Sequence, residues 1–148
     1  MKNKVTEYWD EKTGMARCVI RYVSSSDIEF FGIGIAECCS EDEPFKSQRT
    51  GSMIAEYRAE IDLIQQINKY EIKPAITALK HVYCTMKDSK RYDPFSYEAI
   101  RFKKELAHLM DEYEENKNTI KYLKDELHHY IQLKDKLHSE IKDKAKIN

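Results

Sequence analysis

The sequence is short of the residues that break helices, with only 4 glycines and 3 prolines in 148 residues. Such scarcity points to long helices and excludes a loop-rich or low-complexity chain. No run of about 18 apolar residues occurs, so no transmembrane helix is expected. The opening MKNKVTEYWDEKTG lacks the apolar core of a secretory leader, and a cytoplasmic location is the expectation. Cys18, Cys38, Cys39 and Cys84 form no CxxC spacing. That argues against a zinc site, because tetrahedral ligation draws on paired ligands at turn spacing. They are expected to be structural thiols, buried or half-buried. Neither sign of charge dominates: Lys+Arg 25 against Asp+Glu 26 leaves a net charge of -1. A generally basic nucleic-acid binder and a polyacidic mimic are both excluded, while local patches stay open.

What is present begins as strands. Val5–Trp9 is followed by a turn at Asp10–Gly14, and Cys18, Ile20 and Tyr22 then alternate with Arg17, Val19 and Arg21. Ser24–Asp27 supplies the next turn. Ile28–Cys38 is β-branched and aromatic enough to be the central strand, and Gly32 and Gly34 fall on one face of it. Glycines there mark a bulge or close packing, or else a ligand contact. The polar stretch Ser40–Thr50, with its acidic run Glu41–Glu43, reads as a solvated connection. Ser52 then suits a helix N-cap, and Ile54, Tyr57, Ile61, Ile64 and Ile67 follow helical spacing. Residues 1–72 thus read as a small three-stranded antiparallel sheet packed by a helix, an α+β unit. A second helix is predicted from Pro74, with Ala75, Leu79, Val82 and Met86 as its buried face. With the basic loop after it, this makes a connecting segment, 73–93.

Residues 94–148 carry the strongest pattern. Asp93-Pro94 is a helix start signal, and beyond it lie neither proline nor glycine. Phe102, Leu106, Leu109, Tyr113, Ile120, Leu123, Leu127, Tyr130, Leu137 and Ile141 recur at alternating steps of three and four. Asn116 and Lys134 interrupt this heptad seam, and a polar seam residue fixes register or partner number. A helix of about 50 residues would run roughly 75 Å and could not leave its stripe in water. Either it pairs with a copy of itself as a coiled coil, or it folds back at Glu115–Thr119 as a helical hairpin. The unbroken phase of the seam favours a long helix in a homo-oligomer.

Catalytic constellations are missing: no GxSxG, Walker loop or HExxH occurs, and Gly32–Gly34 lacks the rest of a dinucleotide fingerprint. His81, His108 and the pair His128–His129 read as solvated helix residues. The expectation is a non-enzyme with no metal and no cofactor. Charge, however, is uneven. Residues 72–104 hold eight basic side chains against three acidic ones. Tyr83, Tyr92, Phe95, Tyr97 and Phe102 interleave with them. Arginine forks beside flat rings suit a ligand bearing phosphate and a base, whereas the plain alternative is aromatic glue with solvated cations. Arg91, Tyr92, Phe95 and Arg101 are therefore candidate ligand-binding residues. Arg58 joins them from the first helix, unless it simply pairs with Asp62 one turn on.

The segment Gly34-Ile35-Ala36-Glu37-Cys38 through Arg49-Thr50-Gly51-Ser52-Met53-Ile54-Ala55-Glu56-Tyr57-Arg58-Ala59 resembles small early proteins of bacteriophages. With the sheet first and long helices afterwards, the order resembles the Thoeris anti-defence sponge family. That resemblance implies a viral, host-cytoplasmic homo-oligomer that evades immunity by holding a cyclic ADP-ribose signal, uncleaved, in pockets shared between protomers. It covers architecture rather than motif, so it transfers no site residue. Read from the residues, a nucleotide-binding protein would place Arg58, Arg91, Tyr92, Phe95 and Arg101 at a subunit interface. A protein-binding inhibitor of a host defence or replication enzyme is the second reading, since the heptad tail could accept a foreign helix. Nucleic-acid binding by the sheet-and-helix unit stands third, lowered by the near-zero net charge.

Overall fold

The structure is a computed structural model that describes residues 2–37 and 48–147. Cys38, Cys39 and the acidic run Glu41–Glu43 lie outside the described residues. The fold is α+β: an antiparallel sheet followed by long helices. Strands β1 (Lys2–Asp10), β2 (Met15–Val23) and β3 (Glu29–Glu37) pair in the order β1-β2-β3. Helix α1 (Gln48–Ile67) continues through a π-helical turn (Asn68–Ile72) into α2 (Lys73–Lys87), and α3 spans Tyr97–Ile147. By contacts the chain divides into a sheet unit, Met1–Ile64 with Ile120–Asn148, and a helical unit, Gln65–Thr119.

Both hairpin turns are built by the residues expected there. Gly14 takes φ 69°, which costs glycine little, and its N–H donates to the Asp10 carbonyl at 2.8 Å. In the second turn, the buried Ser24 hydroxyl accepts the N–H groups of Ser26 and Ile28, each at 3.2 Å. Asp27 sits beside it at φ 58°. Ser24→Ala is expected to cost about 1–2 kcal/mol, because it strips the acceptor from a closed turn. Asp27→Gly relieves the left-handed backbone and is expected to stabilise by about 0.5 kcal/mol. Urea unfolding followed by circular dichroism reads both.

These short connections overturn one expectation. Ile28–Cys38 reads as a central strand, yet β3 is an edge strand and β2 lies in the middle. Consecutive hairpins place the third strand outside the second. The apolar character of both faces of β3 has two separate origins. One face, with Phe30, Gly32, Gly34 and Ala36, is buried. The other leaves Phe31, Ile33 and Ile35 between 44% and 50% exposed.

Helix α1 packs on the buried face through small residues. Ala55 and Ala59 are fully buried, and a methyl group added at Gly34 would overlap the Ala55 carbonyl oxygen. One added at Gly32 would overlap the Ala59 carbonyl oxygen and lie 2.6 Å from Leu63 Cβ. The two glycines therefore serve helix packing, one of the readings open from sequence. Ser52 does not cap this helix, which begins earlier, at Gln48. The polar residues before it offered no contrast by which to place its start.

The helical unit joins α1 to α2 without the break expected at Pro74. Proline lacks an N–H and its ring crowds the carbonyl four residues back. The preceding π-helical turn widens the helix there, and Lys73 N–H reaches back five residues to the Asn68 carbonyl. Ala75, Leu79 and Met86 are half-buried as expected, while Val82 is 44% exposed and off the packed face. Cys84 also faces solvent, contrary to the buried or half-buried thiol expected, whereas Cys18 is in the core. Asp93 accepts the Phe95 N–H at 2.9 Å, and Ser96 caps α3 by accepting the Ala99 N–H at 3.2 Å.

Helix α3 runs unbroken through Glu115–Thr119, so it does not fold back on itself. The first part of its seam is covered by the chain's own earlier helices. In the helical unit, Ala99 is fully buried and Phe102, Leu106, Leu109 and Tyr113 are half-buried. Asn116 Nδ2 donates to Asn68 Oδ1 at 2.8 Å, and Asn68 Nδ2 donates to the Tyr113 carbonyl at 3.2 Å. The polar seam residue thus fixes register within one chain. In the sheet unit, Leu123 is 8% exposed opposite α1, but Leu133, Leu137 and Ile141 remain 47–57% exposed.

Candidate functional site

The basic, aromatic segment converges at the connection between α2 and α3. Tyr83, on the last turns of α2, brings its hydroxyl within 3.3 Å of the Tyr92 hydroxyl. Lys87, one helical turn on, places its ammonium over the Tyr83 ring, 4.6 Å from the centroid. Lys103 reaches the same phenol from the first turns of α3. The hydroxyl contact with Tyr92, together with Lys103 and Lys87 nearby, holds the Tyr83 hydroxyl below its ordinary range. The same contact raises the Tyr92 hydroxyl. Two ammonium groups, Lys87 and Lys103, thus stand beside the pair. An anion arriving from solvent meets those same two cations.

The candidates from sequence are placed unevenly. Arg91 and Phe95 flank Tyr92 on this connection; both are exposed, Phe95 at 85%. Arg101 lies on the first turn of α3 and pairs with Glu105 at 3.1 Å. Arg58 belongs to the sheet unit, where it donates to the Ile35 carbonyl, 2.6 Å away. Asp62, one turn further along α1, accepts the Ile33 N–H at 2.9 Å. These two side chains cap the outer edge of β3. Tyr83, Lys87 and Lys103 belong to the basic, aromatic run read from sequence but are not among its candidate contacts. The i, i+4 spacing of Tyr83 and Lys87 on a helix was the available signal.

A second concavity, in the sheet unit, has the opposite character. Its volume is about 310 Å3, and it is lined by Met53, Glu56, Tyr57, Glu60, Leu123 and Glu126. Glu126 accepts hydrogen bonds from Tyr122 at 2.7 Å and from Tyr57 at 3.4 Å. Three carboxylates on its wall make it unsuitable for phosphate. Burial pushes the Tyr57 hydroxyl up and Glu126 adds to the effect; Tyr122 is raised by its hydrogen bond to Glu126. Raised tyrosines contribute stability below the unfolded value of about 10 and lose it as pH rises through the folded values. Above pH 10 the urea midpoint is therefore expected to fall less steeply in Tyr57→Phe/Tyr122→Phe than in the unsubstituted protein.

Among the described residues, no group of three His, Cys, Asp or Glu side chains could hold a metal ion. No helix there is long and apolar enough to cross a membrane. Comparison with protein-family models, with curated proteins and with solved structures returns no match.

Proposed function

We propose that this protein is a non-catalytic binder that sequesters a nucleotide-type anion at the α2–α3 connection of the helical unit. The observation that carries the reading is the Tyr83–Tyr92 hydroxyl pair, 3.3 Å apart, set between Lys87 and Lys103. Cations of this kind neutralise phosphate, and the exposed Phe95 ring offers a stacking surface for a base. Arg91, Tyr92 and Arg101, whose exposed pair with Glu105 holds it only weakly, remain contact residues in this reading, while Arg58 serves the fold through the Ile35 carbonyl. Exposed Leu133, Leu137 and Ile141 supply a stripe for self-association, so the binder works as a homo-oligomer. A phage-type anti-defence sponge for a cyclic ADP-ribose signal is the biological form of this reading.

Titration calorimetry with cyclic ADP-ribose isomers tests it. Saturable heat is expected, with affinity falling at least tenfold in Tyr83→Ala/Lys103→Gln, and mass spectrometry should recover the ligand intact. No heat at near-millimolar ligand removes the proposal. Light scattering tests the assembly; a single species of 17.5 kDa argues against the oligomer.

The exposed sheet face favours a second reading, a protein-binding inhibitor. Phe31, Ile33 and Ile35 line up beside Arg21, Val19 and Arg17 of β2, an apolar column next to one with two arginines, of which Arg21 is paired with Glu29. A stoichiometric host protein retained by the unsubstituted chain, and lost in Phe31→Ser/Ile33→Ser, would support it.

A further inference from the structure

Below the tyrosine pair, the helical unit carries a groove between α2 and α3. It encloses about 280 Å3 and is lined by Lys73, Ile76, Thr77, Lys80, Met110, Tyr113 and Glu114. Ile76 and Met110 give it an apolar floor, and Glu114 is the one carboxylate among these lining residues.

Its two lining lysines, Lys73 and Lys80, belong to a regular series of cations. Lys73, Lys80 and Lys87 recur every seven residues along α2. They therefore share one stripe of the helix, in steps of about 10 Å over about 20 Å. Lys103 and Lys117 lie two heptads apart on α3, with Met110 midway between them. All of these lysines are exposed. On each of the two helices an ammonium stands over a tyrosine ring. Lys87 covers Tyr83 at 4.6 Å from the centroid, and Lys117 covers Tyr113 at 5.6 Å. Lys117 is also 3.9 Å from Glu114, an exposed contact that holds it only weakly.

We infer that this groove is a binding track for a short single-stranded oligonucleotide, with its phosphates along the α2 lysines and its bases toward Tyr83 and Tyr113. A linear array of cations about 20 Å long exceeds what one mononucleotide spans, and matches several successive phosphates. Tyr83 on α2 and Tyr113 on α3 are half-buried rings beside these lysines. The inference goes beyond small-ligand capture, because Lys73, Lys80 and Tyr113 lie outside the tyrosine pair at the helix connection.

Fluorescence anisotropy with a labelled ten-residue oligothymidylate, on the full chain, tests the track. Binding is expected to weaken with salt, with a log–log slope of about -2 to -3 for three to four neutralised phosphates. Lys73→Gln/Lys80→Gln should weaken binding at least tenfold and flatten the slope by about 1.4. Lys121→Gln/Lys124→Gln removes the same charge from the sheet unit and should leave binding within twofold. An equal loss in both variants would overturn the inference, as would no anisotropy change at 50 mM salt. Inorganic polyphosphate competing as well as the oligonucleotide would overturn it too, by showing that the rings do not read bases. The same Lys73→Gln/Lys80→Gln protein should keep its calorimetric response to cyclic ADP-ribose isomers, so the groove and the helix connection can fail independently.

Discussion

Replacing Gly34 with alanine is expected to unfold the sheet unit or to cost it at least about 3 kcal/mol, toward the upper end of overpacking effects. The new Cβ meets backbone, not a flexible side chain: it overlaps the Ala55 carbonyl oxygen and lies 2.9 Å from the carbonyl carbon. Relief requires α1 to lift off β3. That movement would pull Ala55, Ala59 and Leu63, which are 0–2% exposed, out of their contacts. At about 4–8 °C per kcal/mol for a unit of this size, the midpoint should drop by more than about 12 °C. Gly32→Ala should behave similarly, somewhat less severely, since part of its clash is with the Leu63 side chain. Ile33→Ala is the contrast. Its side chain is 50% exposed on the opposite face, and a loss of about 1 kcal/mol or less is expected. Thermal unfolding by circular dichroism ranks the three. A folded Gly34→Ala with an unchanged midpoint would show that α1 does not rest on β3 as described.

The second large effect concerns the asparagine pair. Asn68→Leu leaves the Asn116 amide without its partner inside a helical contact where Asn68 is 6% exposed. Asn116→Leu strands Asn68 in the same way, although Asn68 keeps its bond to the Tyr113 carbonyl. Each single change is expected to cost about 1–3 kcal/mol, with Asn68→Leu the worse. The double Asn68→Leu/Asn116→Leu protein should recover much of that loss, because two apolar groups meeting each other leave nothing unsatisfied. A double-mutant cycle from urea unfolding should give a coupling of about 1–2 kcal/mol. Strict additivity would mean that the two amides do not sense each other.

Comparing sequence with structure shows where local pattern stops carrying information. The alternation of Cys18, Ile20 and Tyr22 is a property of one strand against one covering layer, and it located β2 correctly. Ser24, Asp27 and Gly14 were legible because a turn is made by the residues in it. The heptad of α3 was equally legible as a buried stripe, yet a stripe does not name its partner. The α1 and α2 helices that cover it carry weaker apolar spacing, interrupted by Asn68 and Pro74. Asn116 shows the same limit: it reads as a register device, and the register it sets is against a residue 48 positions earlier. The candidate site divides along the same line. Tyr92 and its neighbours stand out as a basic, aromatic run, whereas Lys103 joins them only after α3 turns back from the connection. Arg58 reads from sequence as a ligand contact or a partner of Asp62, and its actual acceptor is a backbone carbonyl, which no side-chain pattern records.

That backbone contact has a consequence for how the chain behaves at high concentration. EFFGIGIAE is an apolar edge strand of the kind that templates cross-β stacking when its rim is bare. Arg58 and Asp62 occupy that rim at the Ile35 carbonyl and the Ile33 amide, so the helix that covers one side of the strand also blocks the approach of a neighbour. Protection against fibril formation therefore resides in two charged side chains one turn apart, and it lasts as long as α1 stays seated.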